Sequence, residues 1–231
     1  KMLDTFHLRN PQLFNKIASP CEAATVIKDG MTVGVSGFTP SGYPKKVTLA
    51  LAEQVLQGCQ CKINLWSGAS SGPEIEDALA SVGAVARRMP YYAASNKHMR
   101  QGINNGTIMY SDMHLSHVAQ LFDFGFLGPM DIAIVEAIAV TEEGHLILSC
   151  GIGNAPMFVK QARSVIVEIN TAQPRELEGM HDIYMQGKPP HRTAIPIFSP
   201  GDRIGKPYVE CGLDKIMFIV ESDVPDHVRD L

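Results

Sequence analysis

Met31-Thr-Val-Gly-Val-Ser36 reads as a short buried strand, and the residues that follow cannot continue it. Gly37-Phe-Thr-Pro-Ser-Gly42 sets two glycines and a proline into a tight loop whose backbone can take conformations other residues avoid. Pro44 suits the first position of a helix, because its missing N–H would be orphaned there anyway. The stretch from Asp29 to Pro44 is therefore strand, glycine loop, helix, with backbone N–H groups free to face a ligand. The same spacing also fits a tight βα turn that holds nothing.

The unit recurs along the chain. Ser19-Pro-Cys-Glu22 is a capping box that opens a helix through about Lys28, with Ala23, Ala24 and Ile27 inward. A separate short helix precedes it over Asn10 to Ile17. Pro44 to Gln57 is amphipathic, with Val47, Ala50, Leu51 and Val55 at helical spacing. Ile63 to Trp66 is a strand, and Pro73 to Arg88 reads as a long helix with Ile75, Leu79 and Val82 on one face. Arg87-Arg88 then falls near its C-terminus, as the macrodipole favours. Within the ambiguous stretch Tyr91 to Ser111, Asn96 to Ile103 looks helical and Asn104-Asn-Gly106 a turn. Ser116 to Phe124 is a further helix. Asp131 to Val140 is almost continuously apolar, as a parallel strand covered on both faces should be. Glu142-Glu-Gly-His145 turns into Leu146 to Ser149, Ala155 to Ala162 is helical, and Ser164 to Asn170 and Lys215 to Glu221 are strands. Gln173 to Lys206 is polar and rich in Pro and Gly, hence largely loop. Alternating strands and helices imply an α/β fold, a mostly parallel, doubly wound sheet with helices on both faces. No internal boundary stands out, so residues 1–231 read as one domain.

Composition narrows the function. A hydrophobic content of 45% supplies an ordinary globular core, and a net charge of −4 argues against nucleic-acid binding. No apolar run is long enough to span a bilayer as a helix; Ile132 to Val140 is strand-sized and interrupted by Glu136. The N-terminus shows no signal-peptide pattern, and Lys1 before Met2 suggests an added residue or an internal start. Five cysteines without a secretory signal point to reduced thiols and a cytoplasmic protein.

Four ordered motifs carry a family resemblance. They are Asp29-Gly30 with Gly37-Phe38, Gly42 and Pro44; Ser67-Gly-Ala-Ser70-Ser-Gly-Pro73; Ala133-Ile-Val-Glu136-Ala-Ile-Ala; and Gly151-Ile-Gly-Asn-Ala. Together they resemble class I coenzyme A transferases, most closely the acetyl-CoA hydrolase/transferase branch that includes succinyl-CoA:acetate and 4-hydroxybutyrate CoA-transferases. The resemblance covers nearly the whole chain. One departure is Ser36, where many members carry the first of two glycines.

Each candidate residue has a functional and a structural reading. Ser70 follows a strand and precedes a helix, at the carboxyl edge where ligands bind in open α/β folds. Its hydroxyl could bond a substrate carboxylate or acyl oxygen, or merely close a turn; the resemblance favours substrate contact. Glu74, Glu76 and Asp77 already complement the dipole of the following helix, which argues against a phosphate there. Gly151-Ile-Gly153-Asn154 precedes a helix with no acid in its first turn, a better anion or oxyanion site. Pro156 stands where a dinucleotide fingerprint would have its third glycine, so that reading is weak. Glu136 interrupts an apolar strand and must be paired, solvated or functional. His114 and His117 read as partly buried, hydrogen-bonded histidines rather than a metal pair, and Cys59 and Cys61 as ordinary cysteines. Lys45 and Lys46 lie where the dipole disfavours cations; they could attract an anionic substrate, but read as solvated.

The resemblance implies an enzyme moving coenzyme A between an acyl-CoA and a small carboxylic acid in acetate metabolism, or hydrolysing acetyl-CoA. No cofactor is expected to be permanently bound and no metal held; the CoA thioester is a substrate. In this family a glutamate forms a glutamyl-CoA intermediate, and that glutamate belongs to the C-terminal half, with no match here. The chain thus reads as the N-terminal domain alone, a fragment or one subunit of a split enzyme, inactive by itself. Expected substrate contacts are Gly37, Phe38, Thr39, Gly42, Tyr43, Ser70, Gly153 and Asn154, with Glu136 a further candidate. Expected partners are acyl-CoA, small carboxylates, the C-terminal half and a second copy in a homodimer, with neither nucleic acid nor membrane. Two rivals share the fold: a sugar-phosphate isomerase or deaminase, and a non-catalytic binding module.

Overall fold

The computed structural model describes residues 3–90 and 95–227. After a 3₁₀ turn at Pro11–Lys16, the described elements run α1 (Pro20–Ala24), β1 (Thr32–Val35), α2 (Lys46–Leu56), β2 (Ile63–Ser67), α3 (Glu76–Ser81), β3 (Val85–Met89) and α4 (Lys97–Asn104). Then come β4 (Met109–Tyr110), α5 (Leu115–Asp123), β5 (Met130–Val140), β6 (Leu146–Leu148), α6 (Ala155–Gln161), β7 (Ala162–Asn170) and β8 (Ile216–Ser222). The sheet order is β4-β3-β2-β1-β5-β7-β8, with β6 antiparallel on the end of β5 and the other pairings parallel. The chain builds outward from β1 to β4, then jumps back to lay β5 on the other side of β1. That reversal opens a crevice at the carboxyl ends of β1 and β5, where α/β folds place ligands.

Alternation along the strands separates two cores. Val33, Val35, Ile132, Ile134 and Ile166 face one cluster with Ala23, Val47, Leu51 and Leu79 of α1, α2 and α3. Ala133, Val135, Val165 and Val167 face the other, with Val118, Phe122 and Phe158 of α5 and α6. Trp66 meets Phe122 edge-on at 4.8 Å, and Phe122 meets Phe158 in the same way at 5.6 Å. Such T-shaped contacts suit the ring quadrupoles. The period of two sets Glu136 and Glu168 on the α2 side, and β5 and β7 pair them directly.

The expected long helix over Pro73 to Arg88 is two elements. α3 stops at Ser81, Gly83 takes φ +72°, and the Ala84 N–H returns to the Leu79 carbonyl. This is a left-handed glycine stop, and β3 follows at once. Arg88 is therefore a strand residue, fully buried, with its guanidinium 2.6 Å from Glu76. It also bonds Ser67 Oγ and the Ala69 carbonyl. Glu76 accepts the Ser71 N–H and Asn96 Nδ2. α1 is shorter than expected, although Ser19 caps it and Ala23, Ala24 and Ile27 are buried. Pro44 lies two residues ahead of α2 rather than inside it. The reading of Tyr91 to Ser111 falls partly outside the described residues; its later part is α4, a turn at Asn105-Gly106 and β4.

Removing one partner of a buried ion pair strands the other charge. Glu76→Ala should lower the unfolding free energy by about 3–5 kcal/mol in urea denaturation. Lys206→Ala, which breaks an exposed pair with Glu210, should change it by about 1 kcal/mol or less. Equal losses would show that the Arg88 pocket is wet rather than sealed.

Candidate functional site

Three loops meet at the carboxyl edge of the sheet, and they meet backbone to backbone. A Cβ on Gly42 would overlap the Gly151 backbone, and one on Gly151 would overlap the Ser41 carbonyl. A Cβ on Gly68 would lie 2.7 Å from Gly153 Cα, and one on Gly153 would strike the Gly37 carbonyl. A Cβ on Gly72 would enter the Tyr43 ring. Ser70 sits in the Gly68–Gly72 loop, so the first, second and third loops form one contiguous surface. Glycine is required here by close approach, and at Gly153 also by φ +52°.

The tip of the first loop is Phe38 and Thr39. Phe38 is 47% exposed, and Thr39 holds φ +57° with its hydroxyl on the Phe38 carbonyl. A β-branched residue in the left-handed region is strained, a feature that clusters at ligand-contacting loops. Phe38 N–H donates to the Ser41 carbonyl, which closes the turn. Gly42 and Tyr43 are buried beneath the tip. The Tyr43 hydroxyl donates to Glu74 at 3.0 Å, and burial beside Glu74 pushes its pKa up. Ser70 is only 6% exposed and makes no hydrogen bond among the described residues. Gly153 and Asn154 also line a cavity of about 270 Å³ with Ala119, Met157 and the Asp182–Met185 segment. Among its described lining residues there is none from the first or second loop.

Beneath the loops lies a buried polar cluster. Lys45 is fully buried, not solvated as expected. Its ammonium lies 2.6 Å from Glu136 Oε2 and 2.9 Å from Asp226 Oδ1, donates to the Tyr43 carbonyl, and sits 4.1 Å from the Tyr43 ring centre. Burial works against this charge, but Glu136 and Asp226 outweigh it and hold the Lys45 pKa above the ordinary lysine value. The second Glu136 oxygen accepts Ser149 Oγ at 2.6 Å and Gln173 Nε2 at 3.2 Å, while Asn170 Nδ2 reaches Oε2 at 2.9 Å. Glu136 is thus paired and saturated on both oxygens. Glu168 accepts the N–H groups of Lys45, Lys46 and Val47 and caps α2, which has no side-chain cap of its own. Burial pushes the Glu168 carboxyl up against the pull of those three N–H groups. Ser36, the departure from the family pattern, takes the Glu136 N–H and donates to the Gly42 carbonyl.

The sequence reading takes Lys45 as solvated, and it does not single out Glu168 or Asp226 at all. Glu168 gave the same signal as Glu136, a carboxylate in an apolar strand. His114 and His117 are exposed rather than partly buried, with ring centres 5.4 Å apart. Cys59 is exposed and Cys61 buried. Among the described residues no group of three or more His, Cys, Asp or Glu side chains is placed to hold a metal, and no helix is long and apolar enough to cross a membrane.

Residues 4–225 match the model of the acetyl-CoA hydrolase/transferase N-terminal domain. The chain is 49% identical over 226 residues to the succinyl-CoA:acetate CoA-transferase of Clostridium kluyveri, covering 97% of this chain and 41% of that protein. It is 39% identical to the acetyl-CoA hydrolase of Schizosaccharomyces pombe, covering 95% of this chain and 43% of the relative. The chain therefore spans about two fifths of the length of these relatives. The structure of RipA from Yersinia pestis superposes with TM-score 0.65 at 18% identity, covering 95% of this chain and 45% of that one, a likeness of fold.

Two glycines separate loop contact from backbone strain. Gly83 and Gly153 both hold positive φ, but a Cβ at Gly83 meets nothing within 4 Å. Gly83→Ala should cost about 1 kcal/mol, the left-handed penalty alone. Gly153→Ala should cost at least about 1 kcal/mol more, lowering Tm by a further 2–4 °C or so. Equal melting points for the two variants would contradict the backbone packing of the three loops.

Proposed function

The chain belongs to the acetyl-CoA hydrolase/transferase family, and from that membership we propose that it supplies the N-terminal part of an enzyme transferring coenzyme A between an acyl-CoA and a small carboxylic acid. A glutamate in the complementary C-terminal part attacks the thioester carbonyl and expels CoA as thiolate. The thiolate returns to the resulting acyl–glutamyl anhydride, releases the first acid and leaves a glutamyl-CoA thioester. An acceptor carboxylate then attacks that thioester, and CoA passes to it through a second anhydride. In a hydrolase, water takes the acceptor's place.

The observation that carries this reading is the glycine-backbone surface at the carboxyl edge, in a chain whose relatives are CoA-transferases and hydrolases. Such a surface offers amides and a hydroxyl to a carboxylate or thioester oxygen but brings no nucleophile. Phe38 and Thr39 contact substrate from the exposed tip, and Ser70 donates to an acyl or carboxylate oxygen. Gly37, Gly153 and Asn154 supply backbone to the same surface. Gly42 and Tyr43 are buried and shape the loop from below. Acyl-CoA, small acids, the C-terminal part and a second copy are the proposed partners, in the cytoplasm, with no permanently bound cofactor.

The purified chain, incubated with acetyl-CoA or succinyl-CoA and acetate, should consume no thioester above buffer. A separately produced C-terminal part should restore turnover. Turnover by this chain alone, or a mass increase on one of its glutamates, would place the nucleophile here and sink the reading.

Ser70→Ala in the complemented enzyme should lower kcat/KM at least tenfold, about 1.4 kcal/mol of transition-state stabilisation. Folding stability should fall by only about 0.5–1.5 kcal/mol. Unchanged kcat/KM would remove Ser70 from the site.

A further inference from the structure

We propose that Asp226 is a positioning residue, through which the segment after β8 latches the first loop into its ligand-binding shape. The proposal rests on the thioester reading for its ligand and on geometry for its mechanics.

The segment Asp223–His227 is tied repeatedly to the first loop and to the residues that follow it. Asp226 Oδ2 accepts the Gly42 N–H at 3.1 Å and Gln173 Nε2 at 2.8 Å, while Oδ1 faces the Lys45 ammonium at 2.9 Å. Its side chain is only 6% exposed. The Val224 carbonyl accepts Asn170 Nδ2 at 2.7 Å, and Asp223 pairs with Lys46 at 3.1 Å. His227 lies 2.8 Å from Glu74, which also holds the Tyr43 hydroxyl. Residues 42, 43, 45 and 46 are thus all reached, directly or through one side chain, from one five-residue segment.

Glycine packing and the anchors at α2 hold the base of the loop, but its tip is exposed and strained at Thr39, and the hydrogen bonds within residues 36–42 are local: Phe38–Ser41, Thr39–Ser41, Thr39–Phe38 and Ser36–Gly42. A strained turn persists only when its surroundings determine it. Glu136 fixes Lys45 from the sheet side, which leaves Asp226 to fix the Gly42 amide. Gly42 in turn packs on Gly151, so releasing Asp226 loosens the seam between the first and third loops. Glu136 is by the same geometry a positioning residue for Lys45, with both oxygens engaged.

Hydrogen exchange on the 231-residue chain tests the mechanics. In Asp226→Ala, amides of residues 36–45 should exchange about tenfold faster or more, with β5 and β7 unchanged. If that variant fails to fold, Asp226→Asn removes only the charge and should show the same effect more weakly; Asp226→Glu should restore part of the protection. Kinetics in the complemented enzyme test the ligand. Loss of a pre-shaped loop should raise KM for acetyl-CoA about tenfold while kcat changes by less than about threefold. Unchanged exchange over residues 36–45 overturns the latch whatever the activity. Faster exchange with unchanged KM overturns the positioning role. A parent enzyme inactive on every thioester overturns the functional reading and the kinetic half of this proposal, while the exchange result still decides the mechanics.

Discussion

A lysine ammonium with no exposure keeps its charge only if anions and carbonyls come to it. Lys45 imposes that condition on a large part of the molecule. It draws Glu136 from β5, Asp226 from beyond β8, and the Tyr43 carbonyl from its own loop. The neighbouring Glu168 would repel Glu136 if both carboxylates faced the same vacancy. They are given different work: one holds the ammonium, and the other takes three backbone N–H groups and the positive end of the α2 dipole. Both anchors lock the start of α2 to the edge of the sheet, so the loop before it has both ends fixed.

That rigidity explains how three glycine loops can press their backbones together without side chains between them. The surface they make has amides, a hydroxyl and an exposed phenyl ring. The chain that makes it spans about two fifths of its relatives' length.

Much of this architecture was legible in the sequence. The apolar run from Asp131 to Val140 announced a parallel strand, and the glycine loops fell after strands as their spacing implied. The structure bears out the mostly parallel, doubly wound sheet. The helix over Pro73 to Arg88 misled because Ile75, Leu79 and Val82 keep helical spacing up to Gly83, and because two arginines disguise β3. Arg88 breaks the polar-outside rule only because Glu76 neutralises it, and no local pattern announces such a partner. Lys45 failed for a related reason. The dipole disfavours a cation at a solvated helix end, but here a carboxylate 123 residues away caps that end. Glu136 stands out as anomalous in an apolar strand, but its role depends on Lys45 before α2, Ser149 just after β6, and Asn170 and Gln173 at and beyond the end of β7.

The span of these contacts bears on the order in which the molecule can assemble. Gly42 and Asp226 are 184 residues apart. A ribosome adding about 5–20 residues per second delivers Asp226 roughly 10–40 s after the first loop. During that interval Lys45 lacks Asp226, and until β5 arrives it lacks Glu136 as well. Its ammonium stays hydrated, and the start of α2 has no carboxylate to receive its amides. Central β1, made early, likewise waits for the strand on its second side. Non-local closure of this kind slows folding, so the carboxyl edge matures last. A nascent chain halted before β8 would carry all three loops but lack the carboxylate that receives the Gly42 amide.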